Sequence, residues 1–284
     1  ADAEMVAAVS NAGGLGILGT VMYSSPEMLR EEIHKTRKLT DMPFGVNITL
    51  LPAMRELPND GFVQVVCEEK VPVVETTAGK PDKYIEILKK AGVKVMHKVG
   101  SIQHAVKAEK LGADAVIMVG FEGAGHPLTD NVSLWNLIPR AVDALKIPVL
   151  AAGGSSDGRQ LAAALSLGAS AIVIGTVLLT SKECVAHPKF KEALLKASES
   201  DTVLIQRTIH NQTRVFKNKT SLEVVEMEDR HATFEELIPF IRGARGQKVL
   251  MEGEIDEGCI TVGQGIGLIK EVRSIKEIID NFVA

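Results

Sequence analysis

The sequence predicts an α/β protein of the (β/α)8 barrel class, and three observations carry that prediction. Short apolar runs recur along the chain: GLGILG (14–19), FGVNITL (44–50), VPVVETT (71–77), VKVMHKV (93–99), ADAVIMVG (113–120), IPVLAAGG (147–154) and ASAIVIGT (169–176). They are apolar at nearly every position rather than alternately, as parallel strands covered on both faces require. Amphipathic helical stretches separate them, among them SPEMLREEIHKTRKL, DKYIEILKKAG, SIQHAVKAEKLG and DGRQLAAALSLG, and the run starts lie between 20 and 35 residues apart. Finally, KAGVKV, KLGADAV and SLGASAI share one pattern, in which a glycine in the left-handed region ends a helix and a buried strand follows at once.

Only seven strands can be read, and the chain opens in a helical stretch, ADAEMVAAVSNAGG. A closed barrel needs an eighth strand, whose natural place is before Ala1, so the first strand is expected to be missing from the chain. A doubly wound open sheet would call for a glycine-rich turn after its first strand. The glycine pairs follow the last two strands instead, which favours the barrel. After Thr180 the pattern becomes polar and helical, with FEELIPFIRG an amphipathic helix. The expected organisation is therefore a barrel domain over residues 1–180, closed by a helix within 264–284, and a helical extension over 181–263 leaning across the barrel mouth.

Bulk composition narrows the partners. The net charge is −4, which offers no basic field for nucleic acid, and aromatics are 4% of residues, too few for a base-stacking platform. The longest clear apolar run, AIVIGTVLL, falls well short of the roughly 18 residues of a membrane span. No secretory signal opens the chain. Cys67, Cys184 and Cys259 lie far apart in the sequence, an odd set that suits a reducing cytoplasm. A cytoplasmic protein acting on a small molecule, without nucleic-acid, membrane or metal partners, is the expectation; oligomeric state stays open.

Barrel chemistry gathers at the carboxyl ends of the strands, and phosphate sites favour the loops after the last two. Here those loops carry Gly153-Gly154 and Gly175-Thr176, where backbone amides can approach a phosphate unobstructed. Helices expected to start near Asp157 and after Thr180 would add positive dipole ends. Asn47, Glu75 and the pair His97-Lys98 mark other strand ends; since side chains alternate, only one of His97 and Lys98 can face the mouth. His126 follows GFEGAG on the loop after the fifth visible strand, fixed by Pro127, and can accept a proton or donate a hydrogen bond near neutral pH. His34 and His104 are expected on helix surfaces, His187 at a helix start, and His210 and His231 in the extension without partners. Trp135 is expected to be packing. No metal-binding or nucleophile motif is present.

The segments NAGGLGILG, PFGVNITLL, GFEGAGHPL, PVLAAGGSSDGRQLAAALSLGASAIVIGT and GQGIGL, in this order and spacing over essentially the whole chain, resemble the nitronate monooxygenase family. The resemblance implies an FMN-containing barrel in which Ala124, Gly125, Gly153, Gly154, Gly175 and Thr176 hold the cofactor phosphate. It implies that Asn47 and Lys98 contact the isoalloxazine ring and that His126 is the catalytic acid–base group beside it. The implied reaction is oxidation of alkyl nitronates with O2. The same family includes NAD(P)H-dependent reductases of quinones and of enoyl-acyl-carrier-protein, and VETTAG and VMHKV look closer to these reductases. A phosphate-ligand barrel without flavin is a third reading. Ala124 stands where many members carry a second glycine, and Pro127 where many carry arginine or isoleucine.

Overall fold

The computed structural model of the 284-residue chain describes residues 1–50, 56–127, 130–209 and 211–284. Strands and helices alternate as α1 (Ala3–Asn11), β1 (Gly16–Gly19), α2 (Pro26–Leu39), β2 (Phe44–Thr49), α3 (Asn59–Glu68), β3 (Val73–Thr77) and α4 (Asp82–Lys90). They continue as β4 (Lys94–Val99), α5 (Ile102–Lys110), β5 (Ala115–Val119), α6 (Leu134–Ala144), β6 (Val149–Ala152), α7 (Gly158–Ser166) and β7 (Ala171–Val173). All seven strands are parallel and neighbour one another in chain order, so the sheet curls through a TIM-barrel-like path with β1 and β7 as its edges. Each strand coincides with one of the seven apolar runs. The helices before β4, β5 and β7 stop at Gly92, Gly112 and Gly168, whose φ values of 78°, 95° and 94° are left-handed, where a side chain would be strained.

The pleat sorts the strand side chains into two sets. Leu18, Val46, Ile48, Val74, Val95, Val116 and Met118 are fully buried beneath the helical layer and form the main core. The other set faces the inside of the curve, and the parallel register sets Asn47 opposite Glu75, Thr49 opposite Thr77, and Thr77 opposite Lys98. Lys98 is therefore the mouth-facing member of its pair. His97 belongs to the core side, 4% exposed, with Nδ1 hydrogen-bonded to the Thr76 hydroxyl at 2.8 Å.

Beyond β7 the chain makes a single 3-10 turn (Thr176–Thr180), then α8 (Pro188–Lys196), β8 (Thr202–Ile205), β9 (Thr213–Phe216), α9 (Lys219–Asp229), α10 (Phe234–Ile241) and α11 (Gly243–Gln247). The final helix, α12 (Ile275–Val283), packs against both α7 and α1 and so joins the two ends of the helical layer. The extension is helical as expected, but it also holds an antiparallel β8–β9 ribbon that the polar sequence hides. The helix expected after Thr180 begins only at Pro188, capped by His187, because the 3-10 turn and a short loop intervene. Trp135 is not packing: it is 68% exposed. His34, His104 and His231 are solvent-exposed, and His210 lies outside the described residues. Among the described residues no helix is long and apolar enough to cross a membrane, and the three cysteines are free.

Burial lowers the His97 pKa from 6.5 to about 4. The unfolded chain, with the ordinary value, takes up its proton first as pH falls. The stability that the neutral, buried ring contributes is thus complete above pH 6.5 and is lost progressively down to about pH 4, an effect of about 3 kcal/mol. Urea unfolding across this window should show the loss in the wild type and a flatter profile in His97→Gln. Equal pH slopes in the two proteins would contradict it.

Candidate active site at the strand ends

One arc of the mouth is built around a buried carboxylate. Glu75 is 5% exposed, and its Oε1 accepts from Asn47 Nδ2 at 2.7 Å and from the Thr77 hydroxyl at 3.2 Å. Lys98 Nζ lies 2.6 Å from the same oxygen. Asn47 Nδ2 also donates to Thr77 Oγ1 at 2.7 Å, and Asn47 Oδ1 accepts from Thr49 Oγ1 at 3.0 Å. Both amide donors of Asn47 are committed to the protein, which leaves its oxygen for any ligand. Lys98 keeps two N–H donors beyond the ion pair. Glu75 is the residue whose part sequence reasoning missed: the sequence shows only that it ends a strand, whereas the register places it between Asn47 and Lys98.

The opposite arc is made of backbone. Gly153 (φ +125°) and Gly154 (φ +68°) adopt conformations that side chains rarely reach, and a Cβ on Gly153 would meet Gly123 Cα at 3.0 Å. Among the described residues, the backbone N–H groups of Ala124, Gly153, Gly154 and Gly175 have no acceptor. A Cβ at Gly175 would meet open space. The Thr176 hydroxyl accepts from Gly263 N–H at 2.9 Å and retains its own proton to donate. Among the described residues the buried Ser156 hydroxyl has no partner. Unpaired donors on adjacent loops, beside the capped start of α7 at Asp157, are the chemistry a phosphate requires.

His126 stands between the two arcs, on the loop after β5. Gly125 pairs with Arg214 of β9 through both backbone bonds, N–H to O at 3.2 Å one way and 2.6 Å the other. The Arg214 guanidinium, 3% exposed, donates to the Phe121 carbonyl at 3.1 and 3.0 Å and to the Thr202 hydroxyl at 3.0 Å. It also lies 4.5 Å from the Phe121 ring centroid. The loop that carries His126 is thereby fixed to the extension at both ends. Thr213 and Arg214 escaped the sequence reading, since neither their burial nor their partners can be read from the QTRVF run.

His126 Nδ1 lies 3.0 Å from Thr213 Oγ1, whose own proton is directed to the Asn211 carbonyl at 3.2 Å. The threonine oxygen is then free to accept Nδ1–H, which leaves Nε2 as the basic nitrogen. The residue keeps an open face, yet the protein packed around the ring disfavours its charged form, and the pKa falls below the ordinary imidazole range. Hydrogen bonds to the Asn211 and Gln212 backbone oppose part of that shift. A cavity of about 750 Å³ opens in front of His126, walled by Thr77, Lys98, Gly125, Pro127 and Gln212 among others.

A parallel TIM-barrel-like sheet with amide-rich glycine loops at its carboxyl ends, and a lysine and a histidine beside them, defines an α/β barrel-type protein with a candidate active site at the strand ends. Comparison with known proteins narrows the class. The nitronate monooxygenase family profile matches residues 1–60 and 53–284. A "Probable nitronate monooxygenase" of Bacillus subtilis is 30% identical over 98% of this chain and 90% of its own length. An octahydroindene-carboxyl-CoA dehydrogenase of Rhodococcus jostii is 32% identical over 100% of this chain and 89% of its own. The solved structure of FabK from Thermotoga maritima superposes with a TM-score of 0.90 at 40% identity, covering 99% of this chain and 88% of that one. The chain belongs to the nitronate monooxygenase family, and with it to the flavin-using oxidoreductases.

Removing the Glu75 carboxylate strands Lys98 and unties Asn47. Glu75→Ala should cost about 2 kcal/mol in urea unfolding, less than for a fully buried pair because Lys98 is partly exposed. Adding Lys98→Met should restore most of the loss in a double-mutant cycle. A loss unrelieved by the second substitution would show that the ion pair is not what Glu75 stabilises.

Proposed function

We propose that this chain is an FMN-dependent oxidoreductase that draws electrons from NAD(P)H and reduces an enoyl thioester. The observation that carries this reading is the reach of the cavity before His126, which continues from Lys98, beside the flavin ring, out to Lys80 and to His104 and Lys107 of α5, a length that suits an extended substrate better than a small nitronate. Its likeness to FabK, an enoyl-acyl-carrier-protein reductase, and to a carboxyl-CoA dehydrogenase supports the same substrate class.

In this reading residues 1–180 and the closing helix hold the cofactor, and residues 181–263 cover the mouth. The free amides of Ala124, Gly153, Gly154 and Gly175, with Gly125 and the Thr176 hydroxyl, hold the FMN phosphate. Lys98 and Asn47 contact the flavin ring, Lys98 through the two donors that its pairing with Glu75 leaves free and Asn47 through its amide oxygen. Bound FMN supplies two-electron transfer, and a cation beside its ring favours the reduced, anionic form. His126 moves the proton at Nε2. With Nδ1–H held by Thr213, Nε2 must first take up a proton from solvent; the imidazolium so formed delivers that proton to the carbon next to the thioester carbonyl, and the neutral ring accepts it in the reverse direction.

The family profile favours a second reading, oxidation of an alkyl nitronate with O2, in which the same histidine acts as base or orients the nitro group. Anaerobic stopped-flow mixing of the flavin-loaded protein separates the two. The reductase reading predicts rapid flavin bleaching by NADH or NADPH and recovery of colour on adding a 2-enoyl thioester. Bleaching by a nitronate alone, with colour restored only by O2, would overturn it in favour of the second.

His126→Ala should lower turnover by about 100-fold or more while the flavin spectrum persists. As the acid of the reduction the ring must be protonated, and because the folded-state pKa is depressed the alkaline limb set by this residue should lie below the ordinary histidine range. Unchanged turnover in His126→Ala would remove the acid–base role.

A further inference from the structure

The cavity does not end at the mouth. It runs outward over the end of β4 to a wall formed by Lys80, on the loop after β3, and by His104, Lys107, Ala108 and Leu111 of α5 and its cap. Positions 104, 107, 108 and 111 stand three or four residues from one another across each turn and so lie along one face of the helix. His104 and Lys107 are exposed on that face while Ala108 is buried at its base; α3 packs on α4 and α5 on α6, whereas α4 and α5 make little contact.

The charge of this wall is one-sided. Among the described residues that line the cavity there is no aspartate or glutamate, although the chain carries a net charge of −4. Lys98 at the inner end is already paired with Glu75. The side chains of Lys80, His104 and Lys107 have no hydrogen-bond or ion-pair partner among the described residues, whereas Lys89 on α4 is paired with Asp114 at 2.7 Å. Pro81, Val99, Ala108 and Leu111 give the passage apolar sides. An elongated, apolar-sided cavity with two unpaired lysines and a histidine donor at its far end suits a ligand with a flexible arm and a multiply charged anion at its tip.

We propose that Lys80, His104 and Lys107 form a phosphate-binding site at the outer end of the cavity, holding the phosphate-bearing arm of a ligand whose reactive end reaches His126. The inference rests on the reading of the His126 mouth as the reacting end. Two ligands of the proposed reaction present this chemistry, a thioester on a phosphorylated carrier arm and a nicotinamide dinucleotide with a ribose phosphate. The site is defined by the phosphate they share.

The test uses flavin-loaded protein, with coenzyme A and adenosine 2′,5′-bisphosphate as probes in isothermal titration calorimetry at low ionic strength. The wild type should bind at least one probe. Lys80→Ala/Lys107→Ala should weaken that binding by roughly tenfold or more, and Lys80→Arg/Lys107→Arg should largely preserve it. Weakening confined to coenzyme A assigns the site to the carrier arm; weakening confined to the bisphosphate assigns it to the dinucleotide. Either result supports the site. It is overturned if the wild type binds neither probe, or if the alanine pair binds both as tightly as the wild type. Failure of the flavin reading would show separately, as protein that never acquires a flavin spectrum.

Discussion

Because parallel strands pair in register and side chains alternate across the pleat, every polar residue that the sequence places at the ends of β2, β3 and β4 must fall either among the helices or inside the curve. Glu75 falls inside, between Asn47 and Lys98, and its one carboxylate accepts from Asn47 and Thr77 while it pairs with Lys98. A lone carboxylate buried there would be costly, and so would a lone lysine; together they hold a fixed, half-buried cation facing the mouth. The same alternation sends His97 into the core, where its ring stays neutral. One register thus decides which groups can meet a ligand.

The second constraint comes from the extension. Gly125 is paired with Arg214, and the Arg214 side chain reaches back to the carbonyl of Phe121, so the loop after β5 is held at both its start and its end. His126 is presented from this clamped loop, with Thr213 and the Asn211–Gln212 backbone setting its protonation. The extension therefore contributes to the site as more than a cover: without β9 the histidine would have neither a fixed backbone nor a fixed tautomer.

The barrel strands were legible because their signals are local, a continuous apolar run followed or preceded by a helix-ending glycine. The β8–β9 ribbon was not, because TVLI and TRVF are four-residue segments in a polar stretch whose pairing depends on tertiary contacts. Trp135 read as packing from the amphipathic pattern of α6, but that face is left open beside the turn at Gln264–Leu268, and the ring is exposed. The glycine loops and His126 could be singled out because barrel sites gather at strand ends. The roles of Glu75 and Arg214 depend on distant partners, Asn47 and Lys98 for the one and Phe121 for the other, and no local pattern announces them.

The account depends most on the free amides of the β6 and β7 loops gripping the phosphate of a flavin. The visible absorption spectrum of the protein purified without added cofactor, followed by chromatography of the heat-released chromophore, tests this most directly. The account predicts yellow protein that releases FMN in near-equimolar amount, and much weaker retention in Gly154→Asp, where a carboxylate would crowd and repel the phosphate. Protein that stays colourless even after incubation with excess FMN would contradict it.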